Sequence, residues 1–275
     1  MEIRFSIHNH NFRTVGEPHD ISIPLNFGGP QPSSYGVPPA TSVPYRDGQW
    51  IGDVNQGGSC NFEEVRITAH CNGTHTESVG HLAAEAVPVH RILTDSLLPA
   101  TLVTVIPQTA EESGERYEPN PGETDMLITG QRLKMLLENA DPVFLKALVI
   151  RSLPNPEEKQ FWQYGEDRLP PYFSHEAMEY IHALGVEHLL VDLPSIDRLF
   201  DEGKLSNHRI FWQLEKEGHL VDLGNTITRR RTITEFIYVP DHLADGHYLL
   251  NLQIAAFMAD ASPSRPQLYP VSNTE

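Results

Sequence analysis

His70, Cys71, His75, Glu77 and His81 fall within one short stretch, HCNGTHTESVGH, with Gly73 and Gly80 near its two ends. Imidazole, thiolate and carboxylate are the side chains that hold a first-row divalent ion. Positions 71, 75, 77 and 81 share parity, so an extended backbone presents those four side chains on one face. The glycines allow the chain to bend and approach closely. Cys71, His75, Glu77 and His81 are therefore candidates to converge on a common cation. A polar surface loop has the same composition, and spacing alone leaves both readings open.

Other chemistries find less support. The chain has no G-x-S-x-G elbow, no glycine-rich phosphate loop and no Cys-x-x-Cys pair. Cys60 and Cys71 are the only cysteines, and a lone cysteine is more often a small buried hydrophobe than a nucleophile. Two cysteines also argue against a disulfide scaffold and fit a reducing cytoplasm. With a formal net charge of −17, a nucleic-acid surface is not expected. The short basic run Arg229-Arg230-Arg231 reads as a solvated loop. The opening MEIRFSIHNHNF shows no secretory pattern, and no apolar run approaches the ~20 residues of a membrane span. The densest run, LQIAAFMA, reads as a buried strand.

The elements that would position the cluster follow from periodicity. EIRFSIH and DISIPL alternate apolar and polar residues, as half-buried strands do. FEEVRITAH leads into the cluster as a strand, and TLVTVIP and LKALVIRS are of the fully buried type. Thr129 caps a helix with Leu133, Leu136 and Leu137 as its stripe. Ser174 caps SHEAMEYIHAL, which Gly185 ends before the strand VEHLLVDLP. Ser206 or Asn207 opens a third helix, HRIFWQLEKEG, closed by Gly218, and TITEFIYVP and HYLLNLQIAAF finish as strands. The Gly- and Pro-rich stretch 26–60 carries Phe27, Tyr35, Tyr45 and Trp50, either closing over a ligand or wrapping the surface. Asp192 and Asp197 bracket a Pro194-Ser195 turn and are expected to bond nearby backbone. Helices alternating with strands over 275 residues predict one α/β domain, 1–275, with a mixed sheet and flanking helices.

The order of these blocks resembles the cyclase-like metal-dependent hydrolases, which include bacterial kynurenine formamidases and isatin hydrolases. Their pattern His-x-Gly-Thr-His-x-Asp-x-Pro-x-His is matched by Cys71-Asn72-Gly73-Thr74-His75-Thr76-Glu77-Ser78-Val79-Gly80-His81. PHDISIPL resembles the family's amino-terminal strand, and FSHEAMEYIHALGVEHLLVDLPSID its helix and Asp-x-Pro-Ser-x-Asp turn. Asn207-His208-Arg209 falls where a His-Arg pair is expected, and Glu235 where the family has a distal glutamate. The resemblance covers most of the chain and implies a swivelling β/β/α fold. It also implies one or two divalent ions, zinc first and manganese second, a small-molecule substrate and a homodimer.

Three positions depart from the pattern. The leading histidine is Cys71, with His70 one place earlier. Strand parity favours Cys71, whereas a bulge would turn His70 inward. The aspartate is Glu77, and the proline is Val79. GHLVDLGNTITRRR also lengthens the segment between His208 and Glu235. Within the resemblance, His75, Glu77 and Cys71 or His70 hold an ion that activates water, and His81, His208 and Glu235 face the same pocket. They complete a second metal position or move protons, with His81 as the acid for a leaving nitrogen. His208, at a helix start, is expected to be neutral. The implied reaction is hydrolysis of a carbon–nitrogen bond in an arylformamide or cyclic amide. Lactone or imide ring-opening, and a metal- and ligand-binding protein without turnover, are the alternatives.

Overall fold

The computed structural model describes residues 2–7, 10–84, 86–214 and 230–274. Its framework is an eleven-stranded mixed sheet. In chain order the strands are β1 (Arg4–Ile7), β2 (His10–Thr14), β3 (His19–Asp20), β4 (His75–Ser78), β5 (Leu97–Val105) and β6 (Ala147–Ser152). They continue with β7 (His188–Val191), β8 (Thr232–Glu235), β9 (Gly246–Asn251), β10 (Ala261–Pro263) and β11 (Gln267–Asn273). Across the sheet the order is β1-β2-β11-β9-β5-β6-β7-β8-β4-β10, with β3 paired to β11. Strands β5 to β8 are mutually parallel, and β4 runs antiparallel between β8 and β10.

The parallel strands read as continuous apolar runs because both of their faces are covered. Leu148, Ile150, Leu189 and Val191 point to one side. There they meet the helices α1 (Gly130–Leu137), α2 (His175–Ala183) and α3 (Ser206–Trp212). Ala147, Val149 and Leu190 point to the other side, against Ile21, Ile237, Val239 and Leu250. Each such Leu, Ile or Val side chain contributes roughly 1.5–3 kcal/mol by leaving water. Thr129 Oγ1 and Ser174 Oγ accept from the Arg132 and Ala177 amides as the caps of α1 and α2, and Gly185 takes the left-handed conformation that ends α2. Leu133 and Leu137 are buried, but Leu136 faces solvent.

Several expectations are corrected. DISIPL is strand only at its first residue, extended by one bridge from Ser22 to Ile237, although Ile21 and Ile23 do alternate inward. The 26–60 stretch and FEEVRITAH together make a ribbon: Thr41–Pro44 pairs with Glu63–Arg66, and Arg46–Asp47 with Trp50–Ile51. LQIAAFMA is not a buried strand, since Phe257 and Met258 are exposed and Ile254 makes one isolated bridge to Ser264. Ser206 does open α3, but the helix ends at Trp212 with Gln213 left-handed. The Gly218 stop and most of the 218–231 insertion lie outside the described residues. Arg231 is buried, not solvated, and donates to the Phe211 carbonyl. No described helix is long and apolar enough to cross a membrane.

Candidate metal centre

Strand β4 is buried along its whole length although none of its residues, His-Thr-Glu-Ser, is apolar. Its period of two sends Thr76 one way, to the Thr234 hydroxyl at 2.8 Å, and His75 and Glu77 the other. The antiparallel ladder sets Glu235 of β8 directly opposite His75, and their side chains meet with Nε2 and Oε2 3.4 Å apart. His208 arrives from α3, its Nε2 3.0 Å from Glu77 Oε1 and 3.8 Å from Glu235 Oε1. Residues from the first and last thirds of the chain thus share one buried space.

Two groups of donors form around Glu77. His75, Glu77 and Glu235 are all buried, and in the second group half-buried His70 and His81 flank the same buried Glu77. Within each group the donor atoms lie within 4.8 Å of one another. Such spacings suit nitrogen and oxygen ligands bound at roughly 2.0–2.2 Å on different sides of one ion.

His75 supplies the clearest test of fit. Its Nδ1 lies 2.9 Å from the Gly73 carbonyl, which can only accept, so Nδ1 carries the proton. In the neutral ring Nε2 then presents a lone pair to the Glu235 carboxylate, and that atom is buried without a hydrogen-bond partner. Two acceptors facing each other away from water are costly unless a positive charge lies between them. A divalent cation meets that need.

Asp197 governs His208. One carboxylate oxygen accepts the Asn207 amide at 2.8 Å, and the other accepts the His208 amide at 3.1 Å and its Nδ1 at 2.5 Å. The first orphan amides of α3 are therefore capped from a distant turn, while the imidazole is fixed with Nε2 toward Glu77. The Asp197 carboxylate thus bonds backbone amides of α3 rather than those of its own turn, where the Asp197 amide instead donates to Ser195 Oγ at 3.1 Å. Asp192 instead holds the buried Lys159 ammonium at 2.6 Å and Ser152.

Electrostatics favour positive charge throughout. Burial works against the His208 imidazolium, but hydrogen bonds to Asp197 and Glu77 outweigh it and raise its pKa well above the usual value. The neutral state expected from the helix dipole is thus overridden by two carboxylates. Burial likewise opposes charge on Glu77, yet the neighbouring His81 and His208 hold its pKa well below the ordinary range. Proton and metal ion compete for the same place.

The structure brings His75, Glu77, His81, His208 and Glu235 together, and sets the His70 ring rather than the Cys71 thiol beside them. Parity fails for Cys71 because residues 68–72 form a turn, with the Cys71 and Asn72 amides both donating to the Thr68 carbonyl. The strand begins only at His75, and His81 sits in the 3-10 turn Val79–His81 after it ends. Cys71 is half-buried and belongs to neither donor group; burial, with the Glu235 charge, raises its thiol pKa. His70 packs its ring 4.2 Å from that of His81. Sequence reasoning misses Asp260, which stands beside both rings, 2.8 Å from His70 Nε2 and 3.5 Å from His81 Nδ1.

The family described as "Putative cyclase" matches residues 19–198. The chain belongs to this Cyclase family. The chain is 24% identical over 260 residues to a kynurenine formamidase of Bacillus cereus, covering 92% of this chain and 97% of that one. Its fold resembles isatin hydrolase A from Labrenzia aggregata bound to benzyl benzoate, with TM-score 0.59, 11% identity, and 92% and 93% of the two chains covered. It also resembles a "predicted metal-dependent hydrolase" from Bacillus stearothermophilus, with TM-score 0.57, 13% identity, and 92% and 98% covered. These likenesses establish a cyclase fold with a mixed sheet.

Proposed function

We propose that this protein is a metal-dependent hydrolase that opens a carbon–nitrogen bond in a small amide, either an arylformamide or a cyclic amide. The observation that carries this reading is the buried, unpartnered Nε2 of His75 facing Glu235, with Glu77 and His208 closing the same space. A divalent ion held there would supply a Lewis acid for a carbonyl and would lower the pKa of water toward ~7. The nitrogen- and oxygen-rich donor set is suited to zinc, with manganese as the alternative.

The chain's own residues divide the remaining work. His75, Glu77, Glu235 and His208 would hold the inner ion. Asp197 holds the His208 ring in one orientation and keeps its Nδ1–H engaged. Breaking a carbon–nitrogen bond requires protonation of the departing nitrogen. His81, half-buried at the outer edge of the cluster, is the group we assign to that transfer. The kynurenine formamidase relative supports an arylformamide, and the isatin hydrolase fold neighbour supports a cyclic amide. The reading includes a cytoplasmic homodimer acting on a free small molecule.

The test is metal analysis of the purified protein followed by a panel of aryl formamides, cyclic amides, imides and lactones, with and without chelator. Chelator-sensitive hydrolysis of a formamide or cyclic amide is expected. Fully metallated protein that turns over no member overturns the enzyme reading in favour of a binding protein, and turnover of lactones or imides alone overturns the amide assignment.

A further inference from the structure

We propose that Asp260 is the positioning carboxylate that aims His70 into the metal centre, and that this pairing makes His70, not Cys71, the outer ring donor. The inference rests on the metal-centre reading above and concerns how this chain builds the outer lobe.

His70 is clamped at both ring nitrogens. Its Nε2 lies 2.8 Å from Asp260 Oδ2, and its Nδ1 lies 2.9 Å from Glu77 Oε2. An ionised Asp260 can only accept, so Nε2 carries a proton, which leaves Nδ1, on the Glu77 side, as the nitrogen that would offer its lone pair to a cation shared with that carboxylate. A carboxylate on the far nitrogen of a ligating imidazole fixes both tautomer and ring orientation. The same Oδ2 lies 3.5 Å from His81 Nδ1, so one carboxylate steadies two rings.

His70 needs such a hold. It lies in the 68–72 turn rather than in a strand register, and its side chain is 27% exposed, so packing alone does not fix its ring. Asp260, in contrast, is tied to the strand that carries His75 and Glu77. Its carbonyl accepts the Ser78 amide at 2.9 Å, and the residues following it form β10, paired to β4. Gly80 provides the room: a Cβ there would stand 3.1 Å from Asp260 Cβ and 2.7 Å from the Val87 carbonyl. The outer donor and the inner donors are thereby referenced to one backbone.

The experiment measures zinc affinity of the full chain by competition with a chromogenic chelator, alongside melting of the chelator-treated proteins. Asp260→Ala is expected to weaken zinc binding about 10–100-fold, the scale for losing an outer partner of a ligand. Asp260→Asn, which keeps an acceptor but loses the charge, should fall between Ala and wild type, and Asp260→Glu should recover part of the loss. Melting of the metal-free proteins should not change, and Cys71→Ser should bind zinc as wild type does. His70→Ala should weaken binding as well, with no further loss on adding Asp260→Ala. Wild-type affinity in Asp260→Ala, or losses that multiply in the double variant, overturns the positioning role while leaving the metal centre standing. A wild-type protein that binds no zinc or manganese overturns both.

Discussion

Strand β4 buries four polar side chains and no apolar one, whereas the ribbon of Thr41–Pro44 and Glu63–Arg66 leaves Val43 and Val65 exposed, with Trp50 near its tip. Buried polar groups are costly without partners, and exposed apolar groups mark surfaces that meet something else. On β4 the partners are identifiable. Thr76 and Ser78 bond to Thr234 and the Val87 carbonyl, while His75 and Glu77 face other donors and acceptors across a space suited to a cation. On the ribbon the strands pair with each other, and its aromatics Tyr45 and Phe62 pack together at 5.5 Å. One region gives up packing energy to hold charge; the other keeps apolar surface in reserve.

The largest predicted effect is at β4. His75→Ala should abolish stoichiometric metal and reduce hydrolysis by roughly a thousandfold or more, the scale of losing a principal electrostatic stabiliser. His81→Ala should retain much of the metal and lose roughly 10²–10⁴-fold in rate, as expected for a proton-transfer group. Metal analysis beside turnover separates them, and equal metal loss in both would make His81 a ligand first.

A smaller effect tests what burial of a polar ring costs away from the metal. His188, on β7, bonds Thr232 Oγ1 at 2.8 Å, and burial, with the Lys146 charge, pushes its pKa down to about 4. The unfolded chain therefore takes up this proton first, near pH 6.5. The His188 contribution is present above that pH and is lost as pH falls toward 4, on the order of 3 kcal/mol. Urea unfolding at pH 7 and pH 4.5 should show a shallower acid loss in His188→Gln than in wild type; parallel losses would contradict it.

The smallest effect on fold stability is expected in the ribbon. Trp50→Ser with Val43→Ser should leave unfolding within about 0.5 kcal/mol, as for exposed sites. If the ribbon serves the proposed homodimer, light scattering should show a shift toward monomer. Unchanged assembly, or a large loss of stability, would remove the contrast between the two regions.

How far the sequence can be read follows the same physics. His75 and Glu77 are legible because a strand has a period of two, and the covered strands because Leu148, Ile150, Leu189 and Val191 form unbroken apolar runs. Cys71 is misplaced by parity because that period ends at the 68–72 turn, which parity cannot detect. His208 and Glu235 are reached through family resemblance, since their meeting with β4 depends on sheet order. Asp197 stands out as a turn residue, but its bond to His208 requires the placement of α3. Asp260 is hidden behind a run that reads as a buried strand; the apolar character of LQIAAFMA gives no sign that Phe257 and Met258 face outward.

X-ray absorption at the metal edge of fully loaded protein addresses the gathering of these side chains most directly. One ion or more per chain, with a nitrogen and oxygen shell at roughly 2.0–2.2 Å, is the predicted result. A sulfur neighbour near ~2.3 Å would put Cys71 in the shell in place of His70, and failure to bind any ion would contradict the metal centre itself.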